Sequence, residues 1–430
     1  MNATPHRPQR QRCLFGASKR RTGSHGTRRR AIPLSAVLGF SLLGVSTGAL
    51  GGCSAVDELG AIGFGSSDSD SSTVKRLPPG QVITKTPFPV NAPARAQRVV
   101  FSSTGARDHR QTAVSGTVLQ PYARWSEKSP RPLAVIAPGT LGMADNCASS
   151  VALRYEAPPT PPAPQLLAQG WNVAIVDYQG LGTPGVHPYL NREIAGNNTL
   201  DMARAAIENL QLPADTPIAL FGYSQGGGAT AAAAELADEY ASELNIRAVY
   251  AGAIPADLTD TALHIRGSAL AGLVGYFMNG LIAEYPETKK PIERMLSPLG
   301  QDFLKLTADE CIGATVERWP RNDTKAFTTN DLGIAENLRS PELSPVVRRH
   351  VEEQALGTKA PSMPVFVTHN ALDDVLPVTS ARKLVQKWQK AGADITYVEV
   401  DTDLGDGTHG LAYVLTHDEM LAWVNQKMGY

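Results

Sequence analysis

The sequence predicts an α/β fold: a mostly parallel sheet flanked by helices, with a helical insertion late in the chain. Three observations carry the prediction. Short apolar runs rich in β-formers alternate with helical patterns from about residue 95 to the end, as in βαβ units. The later runs are continuous apolar stretches of four to six residues, the pattern of strands buried on both faces. One interval between runs, from about 254 to 363, is over 100 residues long, whereas a crossover requires only a dozen or so.

Taken in order, the chain begins with a targeting segment. Nine Lys or Arg fall in the first 30 of 430 residues, and no Asp or Glu occurs before Asp57. A basic head, an uncharged stretch from Ala31 to Gly52 and a small-residue site form the three parts of an export signal. Residues 1–52 are assigned to it, with 1–27 as an N-terminal extension. "LGGC" at 50–53 resembles a bacterial lipobox, which makes Cys53 the lipidated first residue of the mature chain and places it on the outer face of the cytoplasmic membrane. Arg28 and Arg29 match a twin-arginine signal only loosely. Without the segment before Cys53, 31 basic and 41 acidic residues remain. That acidic balance argues against nucleic acid as a partner, because backbone binding requires clustered Lys and Arg. Residues 53–95, rich in Ser, Gly, Asp and Pro, read as a flexible tether.

The body follows. Strand runs are "QRVVFSS", "TAVSGTVLQ", "PLAVIAPG", "WNVAIVDYQG", "PIALFGYS", "IRAVYAGAI", "MPVFVTHN" and "ITYVEVDT". Helical patterns cover 199–210, 226–243, 379–391 and 412–427. Residues 96–257 and 346–430 form the core, and 258–345 a helical cap. Its apolar piece, 267–285, is interrupted by glycines, carries Asn279 and is barely long enough to span a bilayer, so it reads as cap core or acyl-pocket wall. Of the four cysteines, Cys13 leaves with the signal and Cys53 carries lipid. Cys147 and Cys311 remain as an even pair in an oxidising setting, which predicts one disulfide.

The chemistry centres on "GYSQG", residues 222–226. G-x-S-x-G alone is a weak pattern. Here it follows the strand "IALF" and precedes the helix "GATAAAAELADEYASEL", the strand–turn–helix context of a nucleophile elbow. A phosphate-binding loop also joins strand to helix through glycines, but it ends in Gly-Lys-Ser/Thr, and no lysine stands here. Ser224 is thus the candidate nucleophile. A serine hydroxyl needs a base and an acid that orients the base. On this architecture they follow in the order Ser, Asp or Glu, His, after later strands. "ALDDVLPV" offers Asp373 or Asp374, and the glycine-rich loop "GDGTHG" offers His409. His369 is out of order and His417 falls within a helix. The remaining histidines, His187 and His264 among them, read as ordinary polar residues. Asp145 has no companions at metal-ligand spacing, so neither metal nor cofactor is expected.

Four segments now make a resemblance specific: "PGTLGMADNCASS" (138–150), "VDYQGLGTPGVHPYL" (176–190), "GYSQGGGA" (222–229), and the "ALDDVLPV" and "DGTHG" loops. In this order the chain resembles the secretory lipase family of α/β-hydrolases, and the resemblance covers most of residues 95–430. It implies the α/β-hydrolase fold. It implies that Asp373, first acid of D-x-x-x-P with Pro377, is the triad member, leaving Asp374 a spectator. It also implies that Cys147 pairs with a cap cysteine, Cys311. "CASS" in place of "CAPS" and the Pro-rich "APPTPPAP" at 157–164 depart from the pattern in a loop expected near the mouth.

The expected reaction is hydrolysis of carboxylic (acyl or glycerol) esters through an acyl-enzyme. His409 takes the Ser224 proton while Asp373 holds the imidazole. The backbone N–H of Gln225 and the Gly139–Leu141 loop, Thr140 in particular, form the oxyanion hole. The partner is an acyl ester or lipid, with the membrane engaged through the lipid anchor alone. An acyltransferase using the same acyl-enzyme with a sugar or lipid acceptor is the alternative, and a non-catalytic surface lipoprotein a second.

Overall fold

A computed structural model of the protein describes Val74 and residues 77–430 other than Lys128. The signal segment, Cys13, the lipidation residue Cys53 and most of the tether lie outside the described residues. The rest builds a nine-stranded sheet in the order β1-β2-β3-β5-β4-β6-β7-β8-β9. The strands are β1 (Val82–Phe88), β2 (Ala94–Thr104), β3 (Gln111–Pro121), β4 (Leu133–Ala137), β5 (Asn172–Val176), β6 (Ile218–Tyr223), β7 (Ile246–Gly252), β8 (Val365–Asn370) and β9 (Ile395–Val400). β1, β2, β3 and β5 pair antiparallel. From β5 through β4, β6, β7 and β8 to β9 every pairing is parallel. β4 and β5 are buried along their whole length, as strands covered by helices on both faces must be.

The sequence reading places the tether at 53–95, and the structure corrects this. Val82–Phe88 is a strand, paired from Val82–Phe101 to Phe88–Ala96. Its residues are half-buried to exposed, so no apolar face announces it. It exists by edge pairing to β2, where Pro87 is tolerated.

Seven α-helices and two short 3₁₀ turns fill the interval between β7 and β8, from Leu258–His264 to Pro345–Glu352. They share one apolar cluster that includes Phe277, Phe303, Phe327, Val347 and Val351. The helical layer thus continues past the expected boundary at 345. "VVRRHVEE" hides this, because its buried residues are only Val347, Val351 and the polar His350. The apolar piece yields a helix of 12 residues, Leu273–Glu284, and no described helix is long and apolar enough to cross a membrane.

Two of the ties between this layer and the rest of the fold lie at its chain ends and at its cysteine. Where the chain enters and leaves it, Leu356 N–H donates to the Ala256 carbonyl at 3.0 Å. At the other, Cys147 and Cys311 form a disulfide with Cα atoms 5.4 Å apart. Beside it, Met143 N–H donates to Glu310 C=O (2.9 Å) and Ile312 N–H to Leu141 C=O (2.8 Å).

Candidate active site

Ser224 sits between β6 and the helix Gln225–Tyr240 with φ +59° and ψ −121°, a conformation costly for any residue but glycine. The flanking glycines explain how the turn survives. A Cβ on Gly226 would lie 2.0 Å from the Ala137 carbonyl oxygen, and one on Gly227 2.1 Å from that of Gly252. Backbone fills the space that side chains would need. The helix's first intrahelical bond runs from Gly228 N–H to Ser224 C=O (3.0 Å). The amides at Gln225 and Gly226 therefore have no intrahelical acceptor and face the reacting centre with the positive end of the helix.

The other two candidates come from the loops after β8 and β9. His409 Nδ1 lies 2.8 Å from Asp373 Oδ2. Asp373 Oδ1 accepts the Val375 and Leu376 N–H groups, each at 2.8 Å. The carboxylate is thereby fixed in orientation. Burial works against its charge, but the His409 imidazole, His369 and the Leu376 N–H outweigh burial and hold the carboxyl below its ordinary value. Burial likewise pushes the His409 imidazole down, and the Asp373 carboxylate, with Asp374 behind it, pushes it up further, so the net shift is upward. His409 Nε2 is buried and has no hydrogen-bond partner among the described residues. A Ser224–His409 hydrogen bond is not formed in this structure. The two are linked through Tyr223, whose hydroxyl donates to the His409 carbonyl and whose ring lies 5.5 Å from the imidazole. Catalytic hydrogen bonds are commonly completed only with substrate in place.

Three residues behave differently from the sequence reading. Asp374 is no spectator: its carboxylate accepts the His409 N–H at 2.7 Å and the Gly407 N–H at 3.3 Å, holding the histidine loop from below. His264 reaches from the helical layer and donates through Nε2 to the Asp373 carbonyl at 2.7 Å. His187 is 3% exposed and bonds to the Gln225 side chain at 2.8 Å. Nothing in its spacing marks it, and only its place inside the distinctive 176–190 segment singles it out. Within that segment Asp177, fully buried, accepts the Ser115 hydroxyl (2.7 Å) and the Ser150 N–H (2.9 Å). It thereby anchors the "CASS" stretch. Neither that stretch nor 157–164 lines the cavity beside Ser224.

That cavity is apolar. Ser224 and Gln225 form its floor, Tyr189 and Leu190 one wall, and Val375 and Leu376 of the acid loop another. Leu258, Ile265, Val274 and Phe277 come from the helical layer. Thr140 does not line it, and its Oγ1 is 2.7 Å from the Tyr189 hydroxyl. No group of His, Cys, Asp or Glu among the described residues could hold a metal ion.

A sheet of this order, with a serine elbow after β6 and Asp and His loops after β8 and β9, defines an α/β-hydrolase. The secretory lipase family model matches residues 163–429. The chain therefore belongs to the secretory lipase family and is a carboxylic ester hydrolase. It is 29% identical to Lipase 1 of Candida albicans over 336 residues, 74% of this chain and 68% of that protein. It is 28% identical to secreted triacylglycerol lipase LIP4 of Malassezia globosa over 346 residues, 77% and 72% of the two chains. The X-ray structure of Candida antarctica lipase A in its closed state superposes with a TM-score of 0.70, at 24% identity, over 83% of this chain and 84% of that one.

Proposed function

We propose that the protein is an exported, membrane-tethered serine esterase or lipase that cleaves acyl esters, glycerol esters among them, through Ser224, His409 and Asp373. One observation carries the reading: a buried Asp373–His409 pair, 2.8 Å apart, leaves Nε2 without a partner among the described residues, and Tyr223 ties that histidine to the adjoining serine, held at positive φ and lining an apolar cavity. His409 Nε2 takes the Ser224 proton as the hydroxyl attacks the ester carbonyl. Asp373 fixes the proton on Nδ1 and stabilises the imidazolium. The Gln225 amide and the Thr140 loop meet the charge that develops on the carbonyl oxygen. The alcohol leaves with the proton from His409. Water then enters by the same base and releases the acid. The apolar lining favours an acyl chain over a polar acyl group.

Export is supported by the basic–apolar–small pattern of residues 1–52 and by the secreted relatives. The lipobox resemblance around Cys53 supports a lipid anchor at the outer face of the cytoplasmic membrane. The experiment is hydrolysis of nitrophenyl esters from C2 to C16 by wild type and Ser224→Ala, above and below micelle formation. Wild type is expected to turn over several chain lengths and Ser224→Ala none above background. Equal rates for the two would refute the reading. Metabolic labelling with a fatty acid tests the anchor: Cys53→Ser is expected to lose the label and the membrane association.

A further inference from the structure

The residues proposed to meet the oxyanion stand on different elements, Gln225 at the start of its helix and Thr140 in the loop after β4. One short segment touches both. Tyr178 donates its hydroxyl to the Pro138 carbonyl at 2.8 Å. The Tyr189 hydroxyl and Thr140 Oγ1 share a hydrogen bond of 2.7 Å. His187 Nε2 lies 2.8 Å from Gln225 Nε2.

The tautomer of His187 follows from its other partner. Nδ1 is 2.9 Å from the Gln179 carbonyl oxygen, which can only accept, so Nδ1 carries the proton. Nε2 is then an acceptor, and the Gln225 amide N–H donates to it. Tyr178 stacks on the ring at 5.6 Å and Tyr189 meets it edge-on at 5.9 Å. Burial holds the imidazole down to about 4, which keeps Nε2 free to accept across the neutral range. Gln225 is itself 4% exposed and lines the apolar cavity. Without an acceptor its amide would be an unsatisfied polar group there or would swing into the acyl space.

We propose that His187, with Tyr189, is the positioning device of the oxyanion site, holding the Gln225 end of the elbow helix and the Thr140 loop at one fixed separation. Neither side chain takes part in bond making. The inference rests on the ester-hydrolase reading of Ser224. Donors aimed at a developing charge act only when held to a fraction of an ångström, so loosening either side lowers turnover more than binding.

The test uses the whole protein with a nitrophenyl ester and measures kcat and KM separately, with Ser224→Ala in parallel. His187→Leu removes the acceptor and keeps an apolar filler. Its kcat is expected to fall about 10- to 100-fold, short of the loss of a whole oxyanion donor, with KM held within about twofold. His187→Gln, whose Oε1 reaches the position of Nε2, is expected to regain most of kcat. A folded His187→Leu enzyme with wild-type kcat, or with only KM changed, would overturn the inference. So would a Gln variant as slow as the Leu one. Tyr189→Phe removes one hydroxyl and keeps the ring, so it decides the matter if His187→Leu does not fold: unchanged kcat there overturns the inference. Wild-type rates in Ser224→Ala would overturn the hydrolase reading, and this inference with it, whatever His187 does.

Discussion

Asp373 and Asp374 are adjacent carboxylates that the structure gives different work, and exchanging each for Asn separates them. In Asp373→Asn, the new carbonyl can still accept from Val375 and Leu376. That leaves the amide NH2 facing His409 Nδ1, where a carboxylate oxygen now stands at 2.8 Å. The imidazole must then accept at Nδ1 and carry its proton on Nε2, the wrong tautomer for a base. In trypsin-like triads this exchange lowers kcat about 10⁴-fold, equivalent to about 5.5 kcal/mol of barrier. In Asp374→Asn, the amide oxygen can still accept the His409 N–H, now at 2.7 Å. What is lost is the charge of that hydrogen bond, worth about 1 kcal/mol, so the fall stays near or below about tenfold. The pH profile adds a second reading. His409 must be neutral to act as base, and its value lies above 6.5 because of Asp373 and, more weakly, Asp374. The acid limb of wild-type kcat is therefore expected above pH 6.5. It moves down in Asp373→Asn, where burial is opposed only by Asp374, and moves down less in Asp374→Asn. The assay is ester hydrolysis from pH 4 to 9. A larger loss in Asp374→Asn than in Asp373→Asn, or an Asp373→Asn enzyme within tenfold of wild type, would refute the assignment.

Three further outcomes are expected. Gly227→Ala places a methyl 2.1 Å from the Gly252 carbonyl oxygen. Backbone of β7 would have to move, so thermal unfolding should show a loss of roughly 3 kcal/mol or more. Replacing Cys147 and Cys311 with Ser opens a loop spanning 164 residues. Chain entropy sets about 5 kcal/mol as the upper end of the loss, and denaturant midpoints of the variant and of reduced wild type should agree. His187 binds its proton only near pH 4 when folded but near 6.5 when unfolded. Its contribution to stability is thus complete above 6.5 and is lost as pH falls to about 4, an effect of about 3 kcal/mol. His187→Gln removes this component, so its unfolding free energy should fall less than that of wild type across that window.

The sequence revealed the body of the sheet because burial leaves a pattern. Eight strands stand out as apolar runs, and Ser224 because its turn demands glycines that backbone contacts explain. The edge strand β1 was hidden, since "VITKTPF" pairs without burying a face. The roles of Asp374, His187 and His264 were hidden for a related reason. A hydrogen bond between a side chain and a distant backbone atom leaves no periodic trace in the chain. Spacing alone left Asp373 and Asp374 equivalent. What distinguishes them is which carboxylate faces the ring and which the backbone of His409, a matter of loop geometry.

The ties of the helical layer differ in kind, and that decides what any displacement would cost. Chain entrance and exit are joined by the Leu356 N–H and the Ala256 carbonyl, His264 holds the Asp373 carbonyl, and Glu284 accepts the Arg107 N–H. Each of these is a hydrogen bond that water could replace. Cys311 is held to Cys147 covalently. The part of the layer next to residues 141–143 is therefore the part that stays attached whatever the rest does.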